Sequence, residues 1–456
     1  MELNAARIAL DPRQWQPGSP EAALGQQFAA LVFDRLVSLD NYGRFQPQLA
    51  VSWNHDPEYT RWQFALRPHV VFSDGSLLTP ADVVSALTRT QGKPFLAEGN
   101  LVVVQSASAM PDLLEELASG GAFVFRELPG GALAGTGPFV PSQAGTSAGA
   151  FAGTLESQTT FVANERAWSG RPFLDAIEVV LSVPPGRRLL DLEMGKADLI
   201  ELAPDLVHHA EEARLRTWAS LGVEVVLLVP EGQSPAAEDV QLRQRLSLAI
   251  DRATMAGVLL QRQAQPAASL LPGWLTGYGS LFPSEINPGR AAVPVAVPHN
   301  PAGATEPLWL NVDQEDSLMR LLAERVAINA RQAGLHVRVA SPAVSAALAN
   351  GSGGGRFHLV RWHISSLAPR AALDSLAAFL KVPDEPSGAA DAAPEHVFQH
   401  ERAILDSGAA IPLVFLPQTL ALGSAVRDWM PSPWDAWHLE NVWLDRSGSA
   451  PQGASP

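Results

Sequence analysis

The fold is decided by residues 308–362, which read LWLNVDQEDSLMRLLAERVAINARQAGLHVRVASPAVSAALANGSGGGRFHLVRW. Three short apolar runs in this stretch are typical of strands, at 308–312, 335–339 and 357–362. Residues 315–333 repeat apolar side chains at helical spacing, and Gly334 follows as a residue that ends helices. A short helix is predicted around 343–349. The resulting β-α-β-α-β order predicts a parallel sheet with covering helices.

The end of the third run is the first candidate for a binding site, because ligands of such sheets bind beyond the carboxyl ends of the strands. Trp362 closes the run, and His363 and Ser365 follow it. Since side chains alternate along a strand, Arg361 and His363 are expected on one face of the sheet and Trp362 on the other.

The sequence before residue 308 predicts both strands and helices. Residues 223–229 read VEVVLLV and indicate a buried strand. A linker is expected at 230–235, and then one long helix from Val240 to Arg262. Near the start of the chain, a strand is predicted at 6–10 and a helix over 20–37.

The clearest local signals lie between residues 62 and 82. Residues 62–66, WQFAL, alternate in the manner of an antiparallel strand. Thr79 is a good helix N-cap, Pro80 suits the first helical position, and Asp82 stands where a capping box needs its acceptor. We therefore predict that a helix begins at Pro80.

Composition narrows the class of protein. The chain has 456 residues, 46% hydrophobic, with a formal net charge of -15 and no cysteine. Such a length allows two or more domains, and the negative charge argues against a nucleic-acid-binding surface. Without cysteine there are no disulfides, thiolate metal sites or cysteine nucleophiles. No apolar run is long enough to predict a transmembrane helix.

Several short segments carry a more specific signal because they occur in a fixed order along nearly the whole chain. They are FDRLVSLD at 33–40, PQLAVSW at 47–53, WQFALRP at 62–68, FSDGSLLTPADV at 72–83, GTGPF at 135–139, NERAW at 164–168, RPFLD at 171–175, RQRLSLAIDR at 243–252, IPL at 411–413 and NVWL at 441–444. In this order they resemble the peptide/nickel-binding family of bacterial extracellular solute-binding proteins, family 5.

The resemblance implies an α/β fold of the periplasmic-binding-protein type (class II, cluster C), with two lobes, a hinge and a central ligand cleft. Lobe I is expected at 1–229, with a reduced extra subdomain at about 54–160. Lobe II is expected at 230–418, and residues 419–456 return to lobe I. The crossings between lobes are then expected near 229–235 and 412–418.

The resemblance also compares the strand end with that of peptide binders, which carry Gly-Trp there and an Asp three residues after the Trp that pairs with the peptide ammonium. In this chain Trp362 matches, Arg361 takes the Gly position and Ser365 takes the Asp position. Ligand contacts are predicted for Arg361, Trp362, His363, Ser365, Trp274, Gln26 and Gln27. Trp362 filling the core and His363 serving a structural role remain open alternatives.

The function implied by the resemblance is an extracytoplasmic receptor of an ABC-type importer that captures a peptide-like solute, a sugar or a metal chelate. Its partners would be that solute and the permease subunits, and it would act as a monomer without nucleic acid. No catalytic motif, cofactor or protein-bound metal is predicted. The alternative is a cytoplasmic ligand-sensing domain related to sugar-stress transcriptional regulators.

The start of the chain, Met1-Glu2-Leu3-Asn4, lacks the basic and apolar regions of a secretory signal. Either a signal peptide has been removed from the mature chain, which would place it in the periplasm or on the cell surface, or the protein stays in the cytoplasm. The resemblance favours the first of these expectations.

Overall fold

The computed structural model describes residues 5–10, 23–129, 133–142, 158–181, 183–231, 238–283, 308–313, 316–341, 356–364, 366–382, 393–429, 432 and 438–446. The strands are β1 (Ala5–Leu10), β2 (Val37–Leu39), β3 (Phe45–Pro47), β4 (Ala50–His55), β5 (Arg61–Leu66), β6 (Phe95–Glu98), β7 (Leu101–Gln105), β8 (Arg126–Glu127), β9 (Leu133–Ala134), β10 (Phe139–Pro141), β11 (Gln158–Ala163), β12 (Ala176–Leu181), β13 (Leu199–Glu201), β14 (Arg216–Pro230), β15 (Gln265–Pro266), β16 (Leu308–Asn311), β17 (Val337–Val339), β18 (Arg356–His363), β19 (Ile411–Leu422), β20 (Val426–Arg427) and β21 (Trp443–Leu444). The α-helices are α1 (Ala23–Val32), α2 (Pro80–Gln91), α3 (Leu113–Ala118), α4 (Pro185–Glu193), α5 (Val207–Glu212), α6 (Val240–Ala249), α7 (Arg252–Thr254), α8 (Gly273–Thr276), α9 (Ser317–Gln332), α10 (Pro369–Phe379) and α11 (Pro394–Ser407).

The described residues group into two units. Unit 1 contains those up to Ser220 and those from Thr419 onward, and unit 2 contains those from Leu221 to Gln418. The two boundaries fall within β14 and within β19. Two strands therefore each contribute residues to both units.

The main sheet of unit 1 has the strand order β10-β11-β12-β1-β13-β19. β1 runs parallel to β12 and β13, while β11 is antiparallel to β12 and β13 is antiparallel to the end of β19. Helices α4 and α5 pack on this sheet through an apolar cluster that includes Leu189, Ile200 and Val207. The predicted strand at 6–10 is confirmed by β1.

Unit 1 also contains a four-stranded antiparallel sheet, in the order β4-β5-β7-β6, with its own apolar core. Along β5 the buried residues are Trp62, Phe64 and Leu66, which confirms the alternation predicted for 62–66. Helix α2 covers this sheet and begins at Pro80 with the predicted capping box, in which Thr79 and Asp82 satisfy each other's backbone N–H groups.

The sheet of unit 2 has the order β19-β14-β18-β16-β17. β16 is parallel to both β17 and β18, which confirms the parallel sheet predicted from residues 308–362. The prediction of a buried strand at 223–229 is also confirmed, because it forms the core of β14, antiparallel to β18. Helix α9 packs on the sheet through Leu322, Val326 and Ala330. The short helix expected around 343–349 lies outside the described residues.

The prediction of one long helix from Val240 to Arg262 is wrong. Helix α6 ends at Ala249, and Ile250 has extended backbone angles. Asp251 then caps a new turn, because its side chain accepts hydrogen bonds from the N–H and the hydroxyl of Thr254. Residues 255–259 continue as a π-helical turn. A capping side chain inside an apolar pattern has thus divided the helix.

The helix predicted over 20–37 is shorter than expected at its C-terminal end. Helix α1 ends at Val32, and Val37 already belongs to β2. The residues between them include Asp34, whose side chain binds distant parts of unit 1. Tertiary hydrogen bonds therefore overrode the helical spacing of the apolar residues.

Candidate ligand-binding site

The candidate site in unit 2 is the carboxyl end of β18. Asn311, the last residue of β16, pairs with His358, so β18 continues five residues beyond its parallel neighbour. The backbone just after β18 is also bound to β14, because the N–H of Ile364 donates to the carbonyl of Val223 over 2.8 Å. The end of β18 therefore extends beyond the carboxyl end of β16, where ligands of parallel sheets bind, while it stays paired with β14.

Arg361 forms an ion pair with Glu224. Its Nε donates to Glu224 Oε2 over 2.9 Å, and its Nη2 contacts the same oxygen. The register explains the pair: Arg361 stands opposite Val226 on β14, and Glu224 lies two residues further along on the same face. Both side chains are largely buried. The guanidinium at the strand end is therefore matched to a carboxylate of the same unit.

Trp362 points to the other face of the sheet, as alternation predicts. It is buried and its ring packs against Phe379 of α10, with centroids 4.8 Å apart. Val225, its partner on β14, belongs to the same apolar cluster. Trp362 thus fills the core of unit 2, and contact with a ligand remains a prediction for this residue.

His363 is buried at the last position of β18, opposite Glu224. It lies on the face that carries Arg361. Within the described residues no group of three or more histidine or acidic side chains could hold a metal ion. Ser365, the remaining candidate at this strand end, lies outside the described residues.

Trp274 is brought to the same strand end by a different part of the chain. Its indole Nε1 donates to the carbonyl of Gly222 over 3.0 Å. Gly222 directly precedes Val223, which accepts the hydrogen bond from Ile364. A side chain at Gly222 would not fit, since an added Cβ would lie 2.9 Å from Phe415. Trp274 lies on the short helix α8 and is partly buried.

Gln26 and Gln27 lie in helix α1 of unit 1. Their side chains lie outside the described part of the chain, so their contact with ligand stays a prediction. Of the seven predicted residues, the structure brings Arg361, Trp362, His363 and Trp274 together in unit 2.

Glu224 is a residue of this site that the sequence analysis missed. The available signal was a single charge within the apolar run 223–229. A charged residue in a buried strand needs a partner, and the facing strand supplies Arg361.

Unit 2 also contains an open pocket of about 500 Å³ beside the first half of β18, lined by residues that include Glu231, Arg356 and Phe379, and by 311–313 at the carboxyl end of β16. Arg356 and His363 are seven residues apart, which is roughly 23 Å along a strand. The pocket therefore begins away from the carboxyl end of β18 but extends toward it at Phe379, whose ring packs against Trp362.

Comparison with known proteins gives one family. The sequence model described as "Bacterial extracellular solute-binding proteins, family 5 Middle" matches residues 44–378. The nickel-binding periplasmic protein of Escherichia coli (strain K12) is 26% identical over 362 residues, covering 68% of this chain and 66% of that protein. The nickel-binding protein NikA of Staphylococcus aureus is 25% identical over 258 residues, covering 52% of this chain and 49% of that protein. These matches thus span about half to two thirds of the relatives' length.

Solved structures share the fold at low identity. NikA from Staphylococcus aureus in complex with Ni(L-His)2 has a TM-score of 0.71 at 17% identity, covering 97% of this chain and 100% of that one. OppA from Haemophilus influenzae in complex with the peptide RPPGFSPFR has a TM-score of 0.74 at 15% identity, covering 97% and 99%. The two-lobed α/β fold expected from the sequence is confirmed. Among the described residues, no helix has the length and apolar character needed to cross a membrane.

Proposed function

Because the chain belongs to family 5 of the bacterial extracellular solute-binding proteins, we propose that it is the solute-binding receptor of an ABC-type importer. The family match over residues 44–378 is the observation that carries this proposal. The receptor would act outside the cytoplasm, as a monomer, with permease subunits as partners. The alternative of a cytoplasmic sensor gains no support, since the Escherichia coli relative is described as periplasmic.

The task of such a receptor is binding, with no chemical change of the solute. A receptor works by a difference in affinity between its states, and that difference needs contacts but no catalytic group. We propose the carboxyl end of β18, with Trp274 beside it, as the part of unit 2 that contacts the solute.

The solute class follows from the charges at this strand end. Where peptide-binding members carry an aspartate, this chain has Ser365, and the carboxylate of Glu224 is already paired with Arg361. An uncharged or anionic solute, such as a metal chelate, a sugar or a modified peptide, therefore suits the site better than a free ammonium group. The metal-chelate option is supported by NikA from Staphylococcus aureus, which was solved with Ni(L-His)2.

Titration calorimetry of the full chain with Ni(II)–L-histidine tests this function. We expect saturable heat with one site per chain, and recovery of the complex unchanged. Trp274→Ala should weaken binding, whereas Trp443→Ala, which removes a partly exposed tryptophan of unit 1, should not. Conversion of a solute to a new product would contradict the receptor function, and binding unaffected by Trp274→Ala would contradict the proposed site.

A further inference from the structure

A buried carboxylate holds the backbone just before Trp274. Glu401, on helix α11, is completely buried. Its Oε1 accepts the N–H groups of Leu270 and Leu271, over 2.5 and 2.9 Å. These two amides come from a segment 130 residues away in sequence and only three to four residues before Trp274. One side chain thus fixes two consecutive peptide groups of an irregular segment.

The segment that these bonds fix is compact and short of regular structure. Ser269 Oγ donates to the carbonyl of Leu271 over 2.8 Å. Gly273 and Gly279 approach so closely that an added Cβ on Gly279 would lie 2.9 Å from the Cα of Gly273. We call residues 269–279 the Trp274 segment. Trp274, at the middle of this segment, donates its hydrogen bond to Gly222, so the segment is held at its start and at its middle.

A carboxylate at this place is costly unless it has a specific task. The side chains of Leu270 and Leu271 belong to the apolar cluster of unit 2, and Phe398 of α11 packs edge-on against Tyr278 at 5.3 Å. Burial raises the pKa of Glu401, although the amides and the nearby Tyr278 hydroxyl oppose that shift. An apolar side chain of similar size would avoid the desolvation cost, but it would leave two buried N–H groups unsatisfied.

We propose that Glu401 is a positioning residue, which fixes the Trp274 segment so that the indole of Trp274 stands at the carboxyl end of β18 ready to contact the solute. The proposal rests on the receptor function proposed above and names a residue that acts on ligand affinity without touching the ligand. Fixing the segment before binding reduces the entropy lost on binding, because fewer conformations must be given up.

Hydrogen exchange of the ligand-free protein tests the positioning directly. Glu401→Gln keeps an oxygen that can accept both amides, whereas Glu401→Met keeps the volume and removes the acceptor. We expect exchange in peptides covering 267–283 to rise by about tenfold or more in Glu401→Met and little in Glu401→Gln, with helix α9 unchanged in both. If Glu401→Met does not fold, the shorter Glu401→Asp takes its place. Unchanged exchange of this segment would overturn the proposal.

Affinity for Ni(II)–L-histidine, measured in a double-mutant cycle, then tests the link to the ligand. Glu401→Met should weaken binding by about tenfold in the wild-type background and have no further effect in a Trp274→Phe background. Additive losses would overturn the link to Trp274. If the wild type does not bind this complex, the proposed solute class fails, while the exchange experiment still decides the positioning role.

Discussion

At the scale of single residues, Asp34 explains why the segments that carry the family resemblance occur together. Its Oδ2 accepts hydrogen bonds from Trp168 Nε1 over 2.7 Å and from Thr136 Oγ1 over 2.8 Å. Its Oδ1 accepts one from Gln48 Nε2 over 2.8 Å. The four residues come from four different segments of the resemblance. Those segments therefore meet around one buried carboxylate of unit 1.

Removing this carboxylate should destabilise unit 1. Asp34→Ala leaves three donors without their acceptor, and we expect a loss of about 2–4 kcal/mol in the free energy of unfolding. Thr136→Val is the matched control, because it removes a single donor and leaves the other two bonds in place; about 1 kcal/mol is expected. Denaturant unfolding followed by tryptophan fluorescence measures both. Equal losses in the two variants would contradict the central role of Asp34.

The loss of stability caused by Asp34→Ala should also depend on pH. Burial raises the pKa of Asp34 above 3.8, its ordinary value, although Trp168 and Thr136 oppose the shift. The folded state then binds a proton at Asp34 more readily than the unfolded state does. The contribution of Asp34 to the free energy of unfolding therefore falls as pH rises through the folded-state pKa. The loss caused by Asp34→Ala should accordingly be larger at about pH 4 than at about pH 7.

At the scale of elements, helix α2 shows what local sequence determines. Asp82 accepts the backbone N–H of Thr79 over 2.8 Å, and the Thr79 hydroxyl lies 3.4 Å from the N–H of Asp82. Thr79→Ala should destabilise the protein by about 1 kcal/mol, because the cap of the first turn is lost. Thr79→Ser keeps the hydroxyl and should cost little by comparison. A loss from Thr79→Ser as large as that from Thr79→Ala would show that the methyl group matters more than the cap.

Elements set by nearby residues were predictable, and elements set by distant ones were not. The start of α2, the alternation of β5 and the parallel pairing of β16 with its neighbours all follow from local pattern. The break in the expected helix is an exception, because Asp251 caps the new turn through Thr254, only three residues away, and the sequence analysis missed this local signal. The pairing of Glu401 with Leu270 joins residues 131 positions apart, and no local pattern indicates such a contact.

Only part of the candidate site was predictable, because its other contacts depend on residues distant in sequence. The position of Arg361, Trp362 and His363 at a strand end follows from the β-α-β order. The sequence could not show that Glu224 would meet Arg361, since that depends on which strand lies beside β18 and in which register. Nor could it show how far Trp362 is buried, which depends on the packing of α10.

At the scale of the whole molecule, the charge of the solute is the property that the sequence and structure address most directly. The ammonium group of a peptide, enclosed in a binding site, needs a carboxylate, because an unpaired buried charge costs several kcal/mol. The resemblance to peptide-binding members of the family assigns Ser365 to the position at which those proteins carry aspartate. Glu224 carries a carboxylate near that strand end, but Arg361 occupies it. We therefore expect the full-length receptor to bind peptides with a free ammonium group more weakly than uncharged or anionic solutes.

A matched pair of ligands tests this selectivity: trialanine and its N-acetylated form differ in the ammonium charge and in one acetyl group. We expect the acetylated peptide to raise the melting temperature of the full chain and the free peptide to raise it little. A ligand at a hundredfold excess over its dissociation constant stabilises the folded state by about 2.7 kcal/mol, which such a melt detects readily. Ser365→Asp introduces a carboxylate at the position that the resemblance assigns to the aspartate of peptide-binding members, and it should reverse the preference. A strong shift by free trialanine in the wild type, unchanged by Ser365→Asp, would mean that another carboxylate receives the ammonium group and that the charge at this strand end does not set the solute class.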